Sequence, residues 1–352
     1  MRLLIAASGT GGHLFPALAV AEELSDVEIH WLGVSDRLET SLIPSCYPLH
    51  TISIEGFQEK FSLKTLLILQ RFIVAINQVK KILQQQQIDL VFTTGGYIAA
   101  PAILAARWAN IPVILHESNY LPGKVTRFFS RWCDQVALGF AQTSQYLPSC
   151  QTVYVGNPIR QQFLHPQPLD LPIPPDVPLI VIMGGSQGAV AVNQLVRVAA
   201  PKWLEMGAFI VHLTGNRDPD WQSFQHPQYI PLAFYDNIAA LLQRANLAIS
   251  RAGSGSLTEL AITSTPSILI PYPYAAEDHQ TYNGRIFANA GAAILLPQAE
   301  LTPDILQEKV IDLLWQSQES TLQQMSTQAA SLAIPDSAQK MATLLLGIGV
   351  RG

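Results

Sequence analysis

Six residues near the start of the chain, Ser8-Gly9-Thr10-Gly11-Gly12-His13, have the types and spacing to act on an anionic or hydroxyl-bearing ligand. They follow an apolar run, Leu3-Leu4-Ile5, and precede apolar residues at helical spacing (Leu14, Ala17, Leu18, Ala21, Leu24), so they read as a glycine turn joining strand to helix. Glycines there let the backbone approach a ligand closely, while the first N–H groups and the dipole of the helix favour an oxyanion. Thr10, Gly11 and Gly12 are therefore candidate binding residues. His13 has two readings: a neutral ring beside a helix N-terminus that can accept a proton, or a ring that merely closes the turn. The fingerprint G-x-G-x-x-G fits only through Gly9 and Gly11, since Leu14 stands where the third glycine belongs, which weakens a dehydrogenase reading.

Four more strand ends carry polar or glycine loops. Thr94-Gly95-Gly96-Tyr97 follows Leu90-Val91-Phe92, and His116-Glu117-Ser118-Asn119 follows Val113-Ile114-Leu115; both suit an uncharged, hydroxyl-rich group. Gly184-Gly185-Ser186-Gln187-Gly188 and Arg251-Ala252-Gly253-Ser254-Gly255-Ser256 each open a helix and add hydroxyls to backbone donors, a composition suited to a diphosphate. Glu259, about one turn further on, is placed to take ribose hydroxyls or to sit in solvent. Asp218-Pro219-Asp220 has the D-x-D form that holds a divalent ion in some sugar-nucleotide enzymes, but after Gly215-Asn216-Arg217 it reads as a turn. Glu277-Asp278-His279-Gln280 reads as the acidic opening of a helix. No metal is expected.

The elements that must position these loops alternate regularly. Strand-like runs at 27–33, 49–54, 88–93, 113–115 and 135–138 are separated by helical stretches; a proline-rich segment at about 165–178 follows. The alternation then resumes at 179–183, 209–213, 247–249, 267–270 and 293–295. This is α/β architecture with two doubly wound parallel sheets, whose ligands are expected in a central cleft outside the carboxyl ends of the strands. At 352 residues with 49% hydrophobic and 13% charged, the chain is ample for two such cores. A net charge of −5 gives no bulk reason to expect nucleic acid. Three cysteines without C-x-x-C spacing support neither a disulfide framework nor a structural zinc.

The start lacks a signal-peptide pattern, and no apolar run approaches the ~18 residues of a spanning helix, so any membrane contact is expected at the surface. Leu63 to Leu83 is the candidate. At about 100° per residue, Ile68, Leu69, Phe72, Ala75, Ile76, Val79 and Ile82 share an arc expected to face the core. Leu63, Leu66, Leu67, Ile73 and Val74 fall on the other arc, among Lys64, Gln70, Arg71, Gln78 and Lys81. Apolar side chains interleaved with basic ones suit an anionic membrane interface, unless another element covers that face. Lys124 to Arg131 is the next candidate.

Seven ordered motifs now stand together: Ser8 to Pro16, Gly95-Gly96-Tyr97, His116 to Asn119, Gly156-Asn157-Pro158-Ile159-Arg160, Gly184 to Gly188, Arg251 to Gly255 and Glu277 to Thr281. In this order they resemble the MurG family of glycosyltransferase family 28, peptidoglycan N-acetylglucosaminyltransferases that convert lipid I to lipid II. The resemblance covers essentially the whole chain. It implies the GT-B fold, with an acceptor and membrane-docking domain over 1–160 plus 336–352 and a UDP-sugar domain over 161–335. It also implies a metal-independent inverting transfer from UDP-N-acetylglucosamine with no cofactor, in which His13 is the base. By motif position, Arg160, Ser186, Gln187, Gly188, Gly253, Ser254, Ser256 and Glu259 would contact UDP, the backbone near Tyr235 the uracil, and Gln280 and Thr281 the sugar. Thr10, Gly11, Gly12 and Asn119 would complete the donor site, while Gly95, Gly96, Tyr97, His116 and Glu117 would face the acceptor. The implied partners are lipid I, an anionic membrane surface at the cytoplasmic face of the plasma (inner) membrane, and other wall-synthesis proteins. Two rival readings are a UDP-N-acetylglucosamine 2-epimerase and an inert membrane recruiter.

Overall fold

A computed structural model describes residues 1–35, 42–54, 63–185 and 188–349, without the side chains of 63–67 and 319. It divides into two compact units, Met1–Arg160 with Asp336–Gly352, and Gln161–Pro335.

The first unit is a parallel sheet of β1 (Arg2–Ala6), β2 (Glu28–Val34), β3 (Leu49–Ile52), β4 (Leu90–Thr93), β5 (Val113–Glu117), β6 (Gln135–Leu138) and β7 (Thr152–Tyr154), in the order β3-β2-β1-β4-β5-β6-β7. Its helices are α1 (Gly11–Glu22), α2 (Leu63–Gln85), α3 (Ala99–Trp108) and α4 (Lys124–Phe129). The alternation along β1 explains the layers. Leu3 and Ile5 join a core containing Leu14, Ala17 and Leu18 of α1, while Leu4 and Ala6 face a core containing Ala75, Ile76 and Val79 of α2 and Ile103 of α3. A sheet buried on both faces needs such continuous apolar strands.

The second unit holds β8 (Leu179–Met183), β9 (Phe209–Leu213), β10 (Tyr229–Leu232), β11 (Leu247–Ser250), β12 (Ser267–Leu269) and β13 (Ala293–Leu295), all parallel, in the order β10-β9-β8-β11-β12-β13. Around it run α5 (Val190–Glu205), α6 (Ile238–Arg244), α7 (Ser254–Ile262), α8 (His279–Asn289), α9 (Pro303–Ile311) and α10 (Glu319–Ser331). The last helix, α11 (Ser337–Gly349), packs on α1 in the first unit, where Met341 and Leu345 join the core of Leu14. The expected architecture of two doubly wound sheets is what the strand orders show.

Several details differ from expectation. The sequence pattern omitted β7 and β10, both edge strands of three and four residues, the latter interrupted by Pro231. The proline-rich segment is tied down: Arg244 Nη2 donates to the carbonyls of Pro174, Pro175 and Val177, and Asn237 Nδ2 to that of Pro168. On α2, Leu69 is 48% exposed although its arc was assigned to the core. It lies six residues before Ala75, the first buried residue among the described side chains of the helix.

Candidate active site

In the first unit the site is built around His13. Its ring Nδ1 lies 2.7 Å from the Thr94 carbonyl oxygen, and Thr94 Oγ1 donates to the His13 carbonyl at 2.9 Å. A carbonyl can only accept, so Nδ1 carries the proton and Nε2 of the neutral ring keeps its lone pair. Gly95 and Gly96, both left-handed (φ 90° and 74°), lay their backbone along the ring; a Cβ on either would come within 3.6 Å of it. The loop is glycine for its conformation, since a Cβ at either position would make only an ordinary contact with the ring. His13 opens onto a cavity of about 160 Å³ lined by Ser8, Gly9, Thr10, Val34, Ile54, Gly96, Tyr97 and Ile98.

The third loop of this unit works differently. His116 is fully buried, with Nε2 donating to the Gly156 carbonyl at 3.0 Å, and burial depresses its pKa below the ordinary 6.5. Glu117 accepts from the Asn119 N–H and Nδ2 through Oε1 and from the Gly123 N–H through Oε2. The two residues expected at the acceptor thus lie beneath the loop, and Glu117 together with Asn119 fixes its path. Arg160 rests its guanidinium 4.2 Å from the centroid of the Phe15 ring on α1.

In the second unit the β8–α5 loop turns at Gly185 and Gly188 (φ 84° and 74°), with the Gly188 N–H donating to the Gly185 carbonyl at 2.9 Å. Ser186 and Gln187 lie outside the described residues. The β11–α7 loop carries Arg251, whose Nη1 reaches the carbonyls of Ile270 (3.1 Å) and Pro271 (3.0 Å) at the end of β12. Burial lowers its pKa to about 10, so it stays cationic at neutral pH. Gln280 Oε1 accepts from the Tyr272 N–H, and its Nε2 lies beside Gly253. Arg251, Gly253, Tyr272 and Gln280 therefore form one cluster. Ser254 is buried, Ser256 and Glu259 half-buried on α7. Tyr235 hydrogen-bonds Asp170, and burial with that carboxylate raises its pKa.

Asn237 caps α6 and Thr302 caps α9 by accepting from backbone N–H groups. Among the described residues the first turns of α1, α5 and α7, like those of α3 and α4, have neither a side-chain cap nor an acid, a composition that suits an anion where a glycine loop precedes the helix. The acidic opening expected for α8 is not a first turn: Glu277 and Asp278 precede the helix in left-handed backbone (φ 54° and 56°), and Asp278 accepts from Thr281 Oγ1 at 2.6 Å. Asp218 of the D-x-D stretch is buried and has its oxygens engaged by Arg197, Asn193 and the Asp220 N–H.

On α2, Ile73 (52%) and Val74 (49%) are exposed beside exposed Arg71, with Leu69 on the preceding turn. The backbone of Leu63, Lys64, Leu66 and Leu67 is helical, but their side chains lie outside the described residues. No described helix is long and apolar enough to cross a membrane. Sequence reasoning named the Thr94 loop but missed Thr94 as the partner of His13, and it missed Asn193, Arg197 and His212 altogether. Nothing in a lone Asn, Arg or His on an amphipathic element marks it as a network member.

Comparison with known proteins agrees with this geometry. Residues 3–138 match the glycosyltransferase family 28 N-terminal domain and residues 179–341 its C-terminal domain. The chain is 66% identical over 345 residues, 98% of its length and 95% of the relative's, to a UDP-N-acetylglucosamine–N-acetylmuramyl-(pentapeptide) pyrophosphoryl-undecaprenol N-acetylglucosamine transferase of Gloeothece citriformis. The crystal structure of Acinetobacter baumannii MurG superposes with a TM-score of 0.77 at 26% identity, covering 99% of this chain and 100% of that one. A putative UDP-N-acetylglucosamine 2-epimerase of Listeria monocytogenes shares the fold at 13% identity and a TM-score of 0.72, over 100% and 97% of the two chains. With both domain models matched in order and two-thirds of its residues shared across a full-length relative, the chain belongs to glycosyltransferase family 28 and has the GT-B fold.

Proposed function

We propose that the chain transfers N-acetylglucosamine from UDP-N-acetylglucosamine to the C4 hydroxyl of the muramoyl sugar of lipid I, giving lipid II with inversion at the anomeric carbon. The observation that carries this is the 66% identity, over 98% of the chain, to a relative named for that reaction. The geometry supplies chemistry to match. The acceptor oxygen bonds the anomeric carbon as the bond from that carbon to the β-phosphate oxygen breaks. His13 Nε2 takes the hydroxyl proton, and the Thr94 carbonyl, already accepting from Nδ1, stabilises the imidazolium that forms. The electron pair leaves with UDP, whose diphosphate suits the uncapped N-termini of α5 and α7 and the residues Gly188, Gly253, Ser254 and Ser256. These donors provide the positive potential that a metal would otherwise bring. Glu259 is assigned to the ribose, the backbone near Tyr235 to the uracil, Gln280 and Thr281 to the sugar, and Tyr97 with Gly95 and Gly96 to the acceptor side.

The same reading makes the chain a peripheral protein of the cytoplasmic membrane face, docked on anionic lipid through Leu69, Ile73 and Val74 beside Arg71. Other wall-synthesis proteins are its expected partners. The test incubates the protein with labelled UDP-N-acetylglucosamine and a short-chain lipid I analogue without added metal. One UDP released per sugar entering the organic-extractable fraction is the expected result. Formation of UDP-N-acetylmannosamine without acceptor would instead identify an isomerase.

A further inference from the structure

Beneath the β8–α5 glycine loop runs a chain of buried hydrogen bonds whose direction is fixed throughout. Asn193 on α5 donates through Nδ2 to the Thr214 carbonyl (2.8 Å) and to Asp218 Oδ2 (2.7 Å), so its Oδ1 must be the acceptor from His212 Nε2 at 3.0 Å. His212 Nδ1 is then the acceptor for the Tyr229 hydroxyl at 2.6 Å. At the far end Asp218 takes Arg197 Nη1 (2.8 Å) and Nη2 (3.4 Å), and its Oδ1 takes the Asp220 N–H (3.0 Å). Asn193, His212 and Thr214 are fully buried and Asp218 nearly so. Burial, reinforced by Arg197, pushes His212 down to about 3, so the ring stays neutral and the relay keeps one orientation at neutral pH.

What the relay holds is the backbone on which Gly188 rests. Gly188 is left-handed, and a Cβ there would collide with the Thr214 carbonyl oxygen, the atom to which Asn193 donates. Thr214 is also pinned to β10 by its N–H and Oγ1, both donating to the Leu232 carbonyl. An apolar core would hold a helix against a sheet as well and without the desolvation of five polar side chains. This network lies at the carboxyl end of β9, directly under the glycine loop.

We propose that the relay Tyr229–His212–Asn193–Asp218–Arg197 is a positioning device that sets Gly188, and the turn it closes with Gly185, for the donor's diphosphate, an inference that rests on the donor reading above. His212, Asn193 and Asp218 act through the Thr214 carbonyl and Gly188 rather than on substrate.

The experiment measures UDP affinity by titration calorimetry, steady-state constants with UDP-N-acetylglucosamine, and thermal unfolding for wild type, His212→Phe, His212→Gln and Tyr229→Phe. His212→Phe fills the space but severs the relay; it should weaken UDP at least tenfold and raise KM while kcat stays within about twofold, in a protein that still unfolds cooperatively. His212→Gln, which restores an N–H near the position of Nε2, should return the affinity to within about threefold of wild type. Unaltered UDP affinity in a folded His212→Phe protein would overturn the proposal. Should that variant not fold, Tyr229→Phe, which removes a single hydroxyl, decides in its place: at least threefold weaker UDP supports the relay and unchanged affinity overturns it. Wild-type protein that does not bind UDP would overturn the donor reading and this inference together, whereas equal binding by wild type and His212→Phe removes the positioning role alone.

Discussion

The hydrogen bond from His13 Nδ1 to the Thr94 carbonyl assigns the two ring nitrogens different tasks, one to hold and one to react. Replacing His13 by alanine should therefore lower kcat by roughly 100-fold or more, the usual scale for a positioned general base. UDP affinity should stay within about twofold, since the diphosphate loops belong to the other unit. Equal loss of UDP binding in calorimetry would show the role misassigned. Glu259→Ala should raise the KM for the donor more than it lowers kcat, because a ribose contact is the same in ground and transition states; a collapse of kcat at constant KM would mark Glu259 as part of the chemistry. At this scale the chain was readable wherever a residue type is rare in its context: a histidine in a glycine turn, an arginine after a strand. It was unreadable where a residue's role depends on contacts far along the chain. Thr94 meets His13 from 81 residues away, and His116 and Glu117, expected on the acceptor side, are buried with backbone partners at Gly156, Asn119 and Gly123.

Among the elements, α2 makes the sharpest claim. Its buried residues Ala75, Ile76 and Val79 lie on the expected helical arc and Leu83 is buried in addition, while Ile73 and Val74 are exposed. Each apolar side chain inserted in lipid contributes up to about 1.5–3 kcal/mol, and each neighbouring cation about 1 kcal/mol. The sum gives reversible, salt-sensitive docking. Co-sedimentation with anionic vesicles should fall as salt rises and fall further in Ile73→Glu/Val74→Glu, with turnover of a water-soluble acceptor retained. Undiminished vesicle binding by the folded double variant would move the surface elsewhere, with Lys124 to Arg131 next, where Arg131 stacks on Phe128 and Trp132. Periodicity located the elements whose both faces are buried, because there the apolar pattern is forced. It missed β7 and β10, which need only pair one edge, and it misassigned Leu69, because an arc on a helical wheel does not say which of its turns are covered.

For the whole molecule, buried neutral histidines in both units predict acid sensitivity. His212 sits near 3 in the folded chain against an ordinary 6.5, and burial also depresses His116. Between those pH values the unfolded chain binds more protons than the native one, so stability is full above about 6.5 and falls as pH drops toward 3. The slope approaches ~1.4 kcal/mol per pH unit for each such residue. Asp218, held below the usual carboxylate range by Arg197, Asn193 and the Asp220 N–H despite its burial, adds a further loss at still lower pH. Urea unfolding at pH 7, 6 and 5 should show this decline, and His212→Gln should flatten it for the second unit; a slope identical to wild type would mean that His212 is protonated without cost.

The helix α11 has a consequence for how the protein is made. The second unit is a continuous stretch of chain and can close once that stretch has left the ribosome. The first begins earlier, yet the core in which Leu14 and Leu18 of α1 meet Leu3 and Ile5 of β1 is completed only when Met341 and Leu345 arrive. Throughout the synthesis of the intervening residues that core lacks only the share contributed by α11. The unit that carries His13 starts first and finishes last, so the moment at which the protein becomes competent is set by the arrival of residues 337–349.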